Sequence, residues 1–355
     1  MTNVEREPSW GHYPLDIHYS TFPARFSTFP DEGSGVDRLY ERVRSVLASS
    51  PFVMYHVAGF CRTLKEPTAP SASSSRGRMP RRITVAHSPD ADDAFMFYAL
   101  AQGKVSEPDL EFVHVLEDIQ SLNERAFRGE YEVTAVSFHA YAYLADRYAL
   151  LPHGASMGDN YGPMIIARQP WQPADLRGKR IAVPGILTTA FLALRLWNPA
   201  LQHVVIPFDQ ILDAVVARRV DAGLIIHEGQ VTYASLGLYR VVDFGEWWKG
   251  ETGLPLPLGG NVIRKDLGPD LMRRVSHLLR ESIQYGLAHR EEALDYAMQF
   301  GRTMDRRSVD RFVGMYVNDL TLDYGDRGRT AVRRLLATAH EAGLIPHRVE
   351  PDFVD

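Results

Sequence analysis

The sequence predicts an α/β protein with two lobes, in which parallel and mixed sheets surround a central cleft. From residue 81 onward, short β-branched apolar runs alternate with amphipathic helical stretches, a pattern that indicates parallel sheets. Beyond residue 262 the pattern becomes mainly helical, as expected for a chain that returns to its first lobe. The chain has 355 residues, enough for two domains that each bury a core.

The composition is typical of a globular protein and argues against two kinds of partner. Hydrophobic residues make up 45% and charged residues 23% of the chain, which are ordinary values for this class. The net charge is only −5, with both signs interspersed, whereas nucleic-acid binders carry a basic patch or stripe. No apolar run approaches the roughly 20 residues of a membrane-spanning helix. We therefore expect neither nucleic acid nor membrane as a partner.

The first 80 residues differ from the rest and are predicted to be a poorly ordered extension and linker. They show no sustained period apart from one weak helical stretch at 36–47. Residues 66–79 are rich in Ser, Pro and Ala, as disordered linkers are. Because Met79 directly precedes the first strand, we expect the functional chain to start there. A small regulatory appendage is the alternative for residues 1–78.

The cysteine content and the N-terminal residues each exclude a class of site or protein. Cys61 is the only cysteine, which excludes an intramolecular disulfide and a metal site built from several cysteines. We expect Cys61 to have no catalytic role, and a catalytic thiol is the alternative. Residues 1–16 contain acidic side chains and no apolar stretch, unlike a secretory signal, so we expect a cytoplasmic protein.

The predicted elements follow the order that two α/β units require. The predicted strands are 82–87, 110–118, 163–168, 180–185, 203–208 and 221–228, and the predicted helices are 92–103, 121–129, 188–197, 209–220, 269–289, 291–300, 308–317 and 329–343. Residues 131–148 are predicted as a strand that passes into a helix. Strand 163–168 would lead out of the first lobe and residues 259–266 would return. The predicted lobes are therefore 81–168 with 260–355, and 169–259.

Polar clusters follow several of these strands, which is where ligands bind in open α/β sheets. His87, Ser88, Asp90, Asp92 and Asp93 stand between the first strand and its helix. One Asp or Ser is enough to cap a helix, so we predict capping combined with contact to a ligand. Capping alone and a metal site are the alternatives, although no complementary His or Cys ligand is evident.

Thr188, Thr189 and Ala190 follow another strand and open a helix. Free N–H groups and the positive end of the helix dipole form an anion site at such a position, and the hydroxyls can supplement it. The alternative is a Thr N-cap with nothing bound.

His227 ends an apolar strand and is the candidate general base. A neutral imidazole whose pKa is near 7 suits proton abstraction at physiological pH. Neighbouring strand residues point to opposite faces, so we do not assume that Glu228 orients the ring. A structural histidine is the alternative.

Ser137 and His139 lie at a further strand end, where Ser137 is a candidate ligand contact. A Ser–His nucleophile pair is conceivable, but no G-x-S-x-G motif surrounds it. The chain also has neither a P-loop nor a dinucleotide-binding fingerprint.

In this order the clusters resemble the 1,4-dihydroxy-6-naphthoate synthase family of the futalosine menaquinone pathway. The matching stretches include SPDADDAFMFYAL, VLEDIQSLNERAF, VPGILTTAFLAL, YVNDLTLDYGDRG and, most specific, DAGLIIHEGQVTYASLGLYRVVDFGEWWKGETGLPLPLG. They span residues 83 to about 330. The resemblance implies the two-lobed type II periplasmic-binding-protein-like fold.

The resemblance also implies an activity and the residues that carry it. The family's lyase step converts cyclic dehypoxanthine futalosine, a small molecule, into 1,4-dihydroxy-6-naphthoate and a sugar-derived fragment, without a cofactor or metal. His227 matches the family's proton acceptor. The implied substrate-binding residues are Asp93, Asn123, Ala135, Val136, Ser137, Thr188, Thr189 and Ala190.

The sequence departs from the family pattern at two positions, and two other functions are alternatives to the lyase activity. The family's common first loop, Ser-Pro-Cys-Pro-Asn-Asp, is here Ser88 to Asp93, with Asp90 in place of cysteine. The family's lysine before the binding serine segment is here Ala135, which removes a positive charge that could hold a substrate carboxylate. The rivals are chorismate dehydratase, on the same fold and in the same pathway, and a solute-binding protein without catalytic activity.

Overall fold

A computed structural model describes residues 79–302 and 304–355, which form two β-sheets with helices packed on them. The α/β class and the mixed sheets confirm the predicted fold class. The predictions for residues 1–78, including the helix at 36–47 and the status of Cys61, lie outside the described residues.

The first sheet has six strands in the order β2-β1-β3-β11-β4, and β5 pairs with β11. Strand β1 runs parallel to β2 and β3, whereas β11 runs antiparallel to β3, β4 and β5. Its strands are β1 (Arg81–His87), β2 (Leu110–Leu116), β3 (Val133–Ser137), β4 (Tyr148–Leu150), β5 (Ser156–Gly158) and β11 (Leu256–Arg264). We call this sheet and the helices packed on it the first lobe.

The second sheet has five strands in the order β10-β6-β9-β7-β8 and forms the second lobe. Strand β7 runs parallel to β8 and β9, and β6 runs antiparallel to β9 and β10. Its strands are β6 (Met164–Ala167), β7 (Arg180–Val183), β8 (Gln202–Val205), β9 (Ala222–Ile225) and β10 (Tyr239–Asp243).

The sheet memberships differ from the predicted lobe boundaries at two places. The sequence predicts residues 163–168 in the first lobe, but β6 is hydrogen-bonded between β9 and β10 of the second sheet. All four residues of β6 are buried, as expected for a strand that has a neighbouring strand on each side and whose sheet is covered on both faces. The return strand β11 already begins at Leu256, before the predicted boundary at 259/260.

Helices cover the sheets, and those of the C-terminal region pack on the first lobe. They are α1 (Ala91–Ala101), α2 (Ile119–Arg128), α3 (Phe138–Tyr141), α4 (Thr189–Trp197), α5 (Ile211–Val216), α6 (Gly229–Thr232), α7 (Phe244–Thr252), α8 (Pro269–Ala288), α9 (Arg290–Ala297), α10 (Arg306–Tyr316), α11 (Asp319–Leu322) and α12 (Gly325–Glu341). Helix α1 is buried almost along its whole length because α8, α9 and α10 pack against it. Of the helices described, none is long and apolar enough to cross a membrane.

Most predicted elements are confirmed, and the differences have local reasons. The predicted helix after β3 is only the single turn α3, because the chain then passes through turns into the short strand β4. Helix α12 begins four residues before the predicted 329, at Gly325, whose φ of +54° suits a residue without a side chain.

Candidate active site between the lobes

A cleft lies between the two sheets and is lined by residues of both lobes. The polar ends of β1 and β3 form its first-lobe wall, and the residues that follow β7 and β9 form its second-lobe wall. This placement follows the general rule for open α/β sheets, because ligand sites lie at the carboxyl ends of their parallel strands.

Most of the predicted site residues meet in this cleft. The following line it: Asp93, Ala135, Ser137, Thr188, Thr189, Ala190 and His227. The side chains of Val136 and Asn123 are fully buried instead, and neither lines the cleft.

Val136 and Asn123 support the cleft wall from behind. Val136 alternates with Ala135 and Ser137 along β3, so its side chain points into the hydrophobic core. Asn123 accepts a hydrogen bond from the Ser137 N–H at 2.8 Å and donates one to Ser137 Oγ at 3.1 Å. Its amide therefore holds Ser137 in place.

The hydrogen bonds of the loop after β1 show whether its polar residues only cap helix α1. Asp90 is the N-cap residue of α1, yet its side chain makes no capping hydrogen bond. Asp93 instead accepts the Ser88 N–H at 2.7 Å and closes the loop. Ser88 Oγ donates to Asp90, whose side chain is 1% exposed and faces the second lobe. Capping alone thus does not explain this loop.

The acidic side chains of the loop differ in their affinity for protons. Burial and the neighbouring Asp90 raise the pKa of Asp93 to about 7, and burial with Asp93 and Asp90 raises that of Asp92 well above its usual range. Burial opposes ionisation of Asp90 as well, but His227 lowers its pKa to about 2. Asp90 is therefore the permanent negative charge of the loop. Among the described residues no group of three or more His, Cys, Asp or Glu side chains is arranged to hold a metal ion.

His227 lies directly after β9 in a left-handed backbone conformation, with φ of +55°. This conformation is uncommon for a residue with a side chain, and such strain is concentrated at functional sites. The ring Nδ1 lies 2.7 Å from an Asp90 carboxylate oxygen. Nε2 is buried without a hydrogen-bond partner among the described residues, and the ring lines the cleft.

The surroundings of His227 make its ring a strong base. Burial disfavours the charged ring, but the Asp90 carboxylate outweighs burial and raises the pKa of His227 to about 9. The Phe208 ring packs edge-on against the imidazole at 4.8 Å between centroids.

Glu228 does not orient His227. The alternation of neighbouring strand residues gives no reason to expect that it would. Its carboxylate accepts a hydrogen bond of 3.1 Å from Arg302. Burial and the nearby Asp90 raise the pKa of Glu228 to about 7. Arg302 also donates to Asp90 at 3.1 Å, and its guanidinium lies 5.0 Å above the Phe208 ring.

The Thr188–Ala190 turn offers backbone donors to the cleft. Thr188 caps α4, since its hydroxyl accepts the Phe191 N–H at 3.2 Å and donates to the Gly185 carbonyl at 2.7 Å. The first-turn N–H groups of Thr189 and Ala190 have no acceptor within the helix. Anion binding at this turn would therefore use these backbone groups more than the Thr188 hydroxyl.

The Ser–His nucleophile pair that the sequence left open is not formed. Within the described residues Ser137 is hydrogen-bonded to Asn123, and the backbone N–H of His139 donates to Thr189 Oγ1 at 3.2 Å. The His139 ring is 3% exposed, and burial lowers its pKa to about 4.

Sequence reasoning missed the residues that reach the cleft from the C-terminal helices. Tyr316 and Phe312 of α10 line it, and the Tyr316 hydroxyl donates to Gln230 at 2.6 Å. Gln230 lies in α6 of the second lobe, so this bond connects the lobes. The helical period predicted α10 itself but gave no signal of which helix face meets the cleft.

Comparisons with known proteins agree with this architecture. Residues 83–341 match the family described as menaquinone biosynthesis. A Thermus thermophilus protein named 1,4-dihydroxy-6-naphthoate synthase is 43% identical over 272 residues, which cover 77% of this chain and 99% of the relative.

Two solved structures extend the comparison. An Archaeoglobus fulgidus protein is 50% identical, with a TM-score of 0.72, over 74% of this chain and 98% of its own. An alkanesulfonate-binding protein from Xanthomonas axonopodis shares 14% identity and a TM-score of 0.58 over 77% of this chain and 97% of its own. The latter likeness concerns the fold alone and confirms the periplasmic-binding-protein-like architecture. The chain belongs to the 1,4-dihydroxy-6-naphthoate synthase family of menaquinone biosynthesis.

Proposed function

We propose that this chain is a carbon–carbon lyase that converts cyclic dehypoxanthine futalosine into 1,4-dihydroxy-6-naphthoate. The name of the Thermus thermophilus relative supports the product, and the relative is matched over nearly its whole length. The observation that carries the proposal is the cleft-lining imidazole of His227, whose Nε2 has no hydrogen-bond partner among the described residues and can accept a proton when the ring is neutral.

The chemistry requires a base in an enclosed site. Deprotonation near the carbon that links the sugar-derived ring to the carbocycle would start cleavage of a carbon–carbon bond, and formation of the aromatic naphthoate would drive it. His227 would take the proton at Nε2, a contribution of typically ~10²–10⁴-fold for a positioned general base. We propose no step that needs a cofactor or a metal ion.

The opposite end of the substrate would bind at the start of α4. Thr189 and Ala190 line the cleft at the start of α4, where the free N–H groups of the first turn and the helix dipole attract negative charge, which suits the carboxylate of the substrate. Ser137, fixed by Asn123, would supply a further polar contact. Ala135 also lines the cleft, so the family's lysine has no cationic replacement at that position.

The proposal is tested by incubating the purified full chain with cyclic dehypoxanthine futalosine and following 1,4-dihydroxy-6-naphthoate by liquid chromatography and mass spectrometry. We expect product with the parent protein and at least ~10²-fold slower formation with His227→Gln. Parallel incubations with chorismate test the dehydratase alternative. Binding of the futalosine compound without product would favour a binding protein, and dehydration of chorismate alone would reassign the enzyme.

The cytoplasm is the proposed place of this activity, and no partner other than the small-molecule substrate is proposed. Cell fractionation with detection of the native chain tests the location. Recovery in a periplasmic or extracellular fraction would contradict it.

A further inference from the structure

The candidate base, His227, contacts a carboxylate on the opposite wall of the cleft. Asp90 belongs to the loop between β1 and α1 of the first lobe, and His227 follows β9 of the second lobe. The Asp90 carboxylate and His227 Nδ1 are 2.7 Å apart, which is the distance of a charge-assisted hydrogen bond. The two walls of the cleft thus meet at this pair.

The Asp90 carboxylate is buried without serving its own helix. Its side chain is 1% exposed and makes no capping bond to α1. An isolated buried carboxylate is costly unless it is paired and hydrogen-bonded. The described partners of Asp90 are Ser88 Oγ, His227 Nδ1 and Arg302, of which the last two are cationic or can become so.

From this geometry we infer that Asp90 is the positioning residue of His227, fixing the ring so that Nε2 is the atom that accepts the proton. The inference deepens the proposed function and rests on its assignment of His227 as base. It assigns to Asp90 a role at a position where the family's common loop has a different residue type.

The direction of the hydrogen bond determines the tautomer. An ionised carboxylate only accepts, so Nδ1 must carry the hydrogen in the pair. In the neutral ring the lone pair is then at Nε2, the nitrogen without a partner among the described residues. When Nε2 takes a proton from the substrate, the adjacent carboxylate stabilises the imidazolium that forms, as in other His–carboxylate pairs.

The other charged groups around the ring do not replace Asp90. Asp92 and Asp93 of α1 face the ring from the first lobe, and both hold protons more tightly than usual. Glu228 follows the ring in sequence but binds Arg302. Arg302 approaches Asp90 on the other carboxylate oxygen, and the oxygen that faces Nδ1 also accepts a hydrogen bond from Ser88 Oγ.

The first test follows His227 itself and needs no substrate. The chain has 13 histidines, so ¹⁵N-histidine labelling with His227→Gln for assignment gives the ring signals of His227 by NMR. In the parent we expect the hydrogen on Nδ1 in the neutral form and a titration well above the ordinary histidine range. This measurement requires no Asp90 variant to fold.

The second test removes the negative charge. In Asp90→Asn we expect the titration of His227 to fall by about one to three pH units and the Nδ1-protonated tautomer to lose its preference. Asp118→Asn is the matched control, because Asp118 also precedes a helix but uses its carboxylate for capping, which Asn does equally well. We expect this control to leave the His227 signals unchanged.

Turnover then separates positioning from a merely structural role. Asp90→Asn should lower kcat and also move the acidic limb of the pH profile to lower pH, whereas a structural defect would lower kcat without moving the limb. An unchanged His227 titration in a folded Asp90→Asn, or a neutral His227 ring in the parent that carries its hydrogen on Nε2, overturns the inference. Absence of turnover in a parent with the expected NMR signals would defeat the proposed function instead and leave the pairing standing.

Discussion

The Thr189 hydroxyl donates a hydrogen bond of 2.6 Å to the carbonyl oxygen of Leu258. Thr189 opens α4 of the second lobe, and Leu258 lies in β11 of the first sheet, so one bond ties the two walls of the cleft. The same hydroxyl accepts the backbone N–H of His139. The side-chain hydroxyl of Thr189 is therefore already occupied by protein groups.

Replacement of Thr189 by Val should destabilise the protein while preserving the side-chain shape. The Leu258 carbonyl and the His139 N–H would lose their partner, which costs about 1–3 kcal/mol for buried groups. Urea unfolding of the two proteins measures the difference. Thr189→Ser keeps the hydroxyl and is the control, with an expected stability close to that of the parent. A Val variant as stable as the Ser variant would contradict this role.

The rate of the proposed reaction should rise with pH above neutrality. The pKa of His227 is raised to about 9, so the protonated ring, which cannot accept a proton, predominates at pH 7. Because kcat/KM reports the free enzyme, its acidic limb should extend from pH 7 towards 9. Initial rates between pH 6 and 10 measure this limb. A limb centred at or below the ordinary value of 6.5 would show that Asp90 does not control the base.

The sequence was sufficient to predict the elements and the wall residues that stand at strand ends. Apolar periodicity predicted α8 to within a residue, and the carboxyl-end rule brought Ser137, Thr188 and His227 to one cleft. Short strands such as β4 and β5 were missed, because three residues are too few to show a period.

The positions of two site residues depend on tertiary contacts that the sequence pattern does not indicate. Arg302 comes from a loop between predicted helices, where no pattern indicates that it reaches Asp90 and Glu228. Asn123 was predicted to contact substrate, but its helix turns it towards β3, where it binds Ser137. The orientation of a polar side chain on a half-buried helix depends on packing against a distant strand, which the period alone does not specify.

The buried amide of Asn123 should contribute to stability and to the geometry of Ser137. In Asn123→Ala the Ser137 N–H loses its acceptor, at a cost of about 1–3 kcal/mol, and a cavity adds to it. Asn198→Ala is the control, because that amide serves an exposed turn. Thermal unfolding of both variants measures the difference. Equal stability would mean that the Ser137 segment holds its shape without Asn123.

The stability of the parent should fall as the pH rises from 6.5 to 9. His227 has a raised folded-state pKa of about 9, so its contribution is complete below 6.5 and is lost as the pH passes through 9. Asp93 and Glu228, whose pKa values are raised to about 7, and Asp92, whose pKa is raised well above its usual range, act in the same direction, because their ionisation in the buried cluster is unfavourable. The contributions of Asp93 and Glu228 are lost as the pH rises through about 7. Asp90, lowered to about 2, stays ionised throughout this window and contributes no slope. In His227→Gln the histidine contribution is absent, so urea unfolding at several pH values should give a shallower decline between pH 7 and 9 than in the parent. A decline as steep as that of the parent up to pH 9 would mean that His227 is not charged in the folded protein.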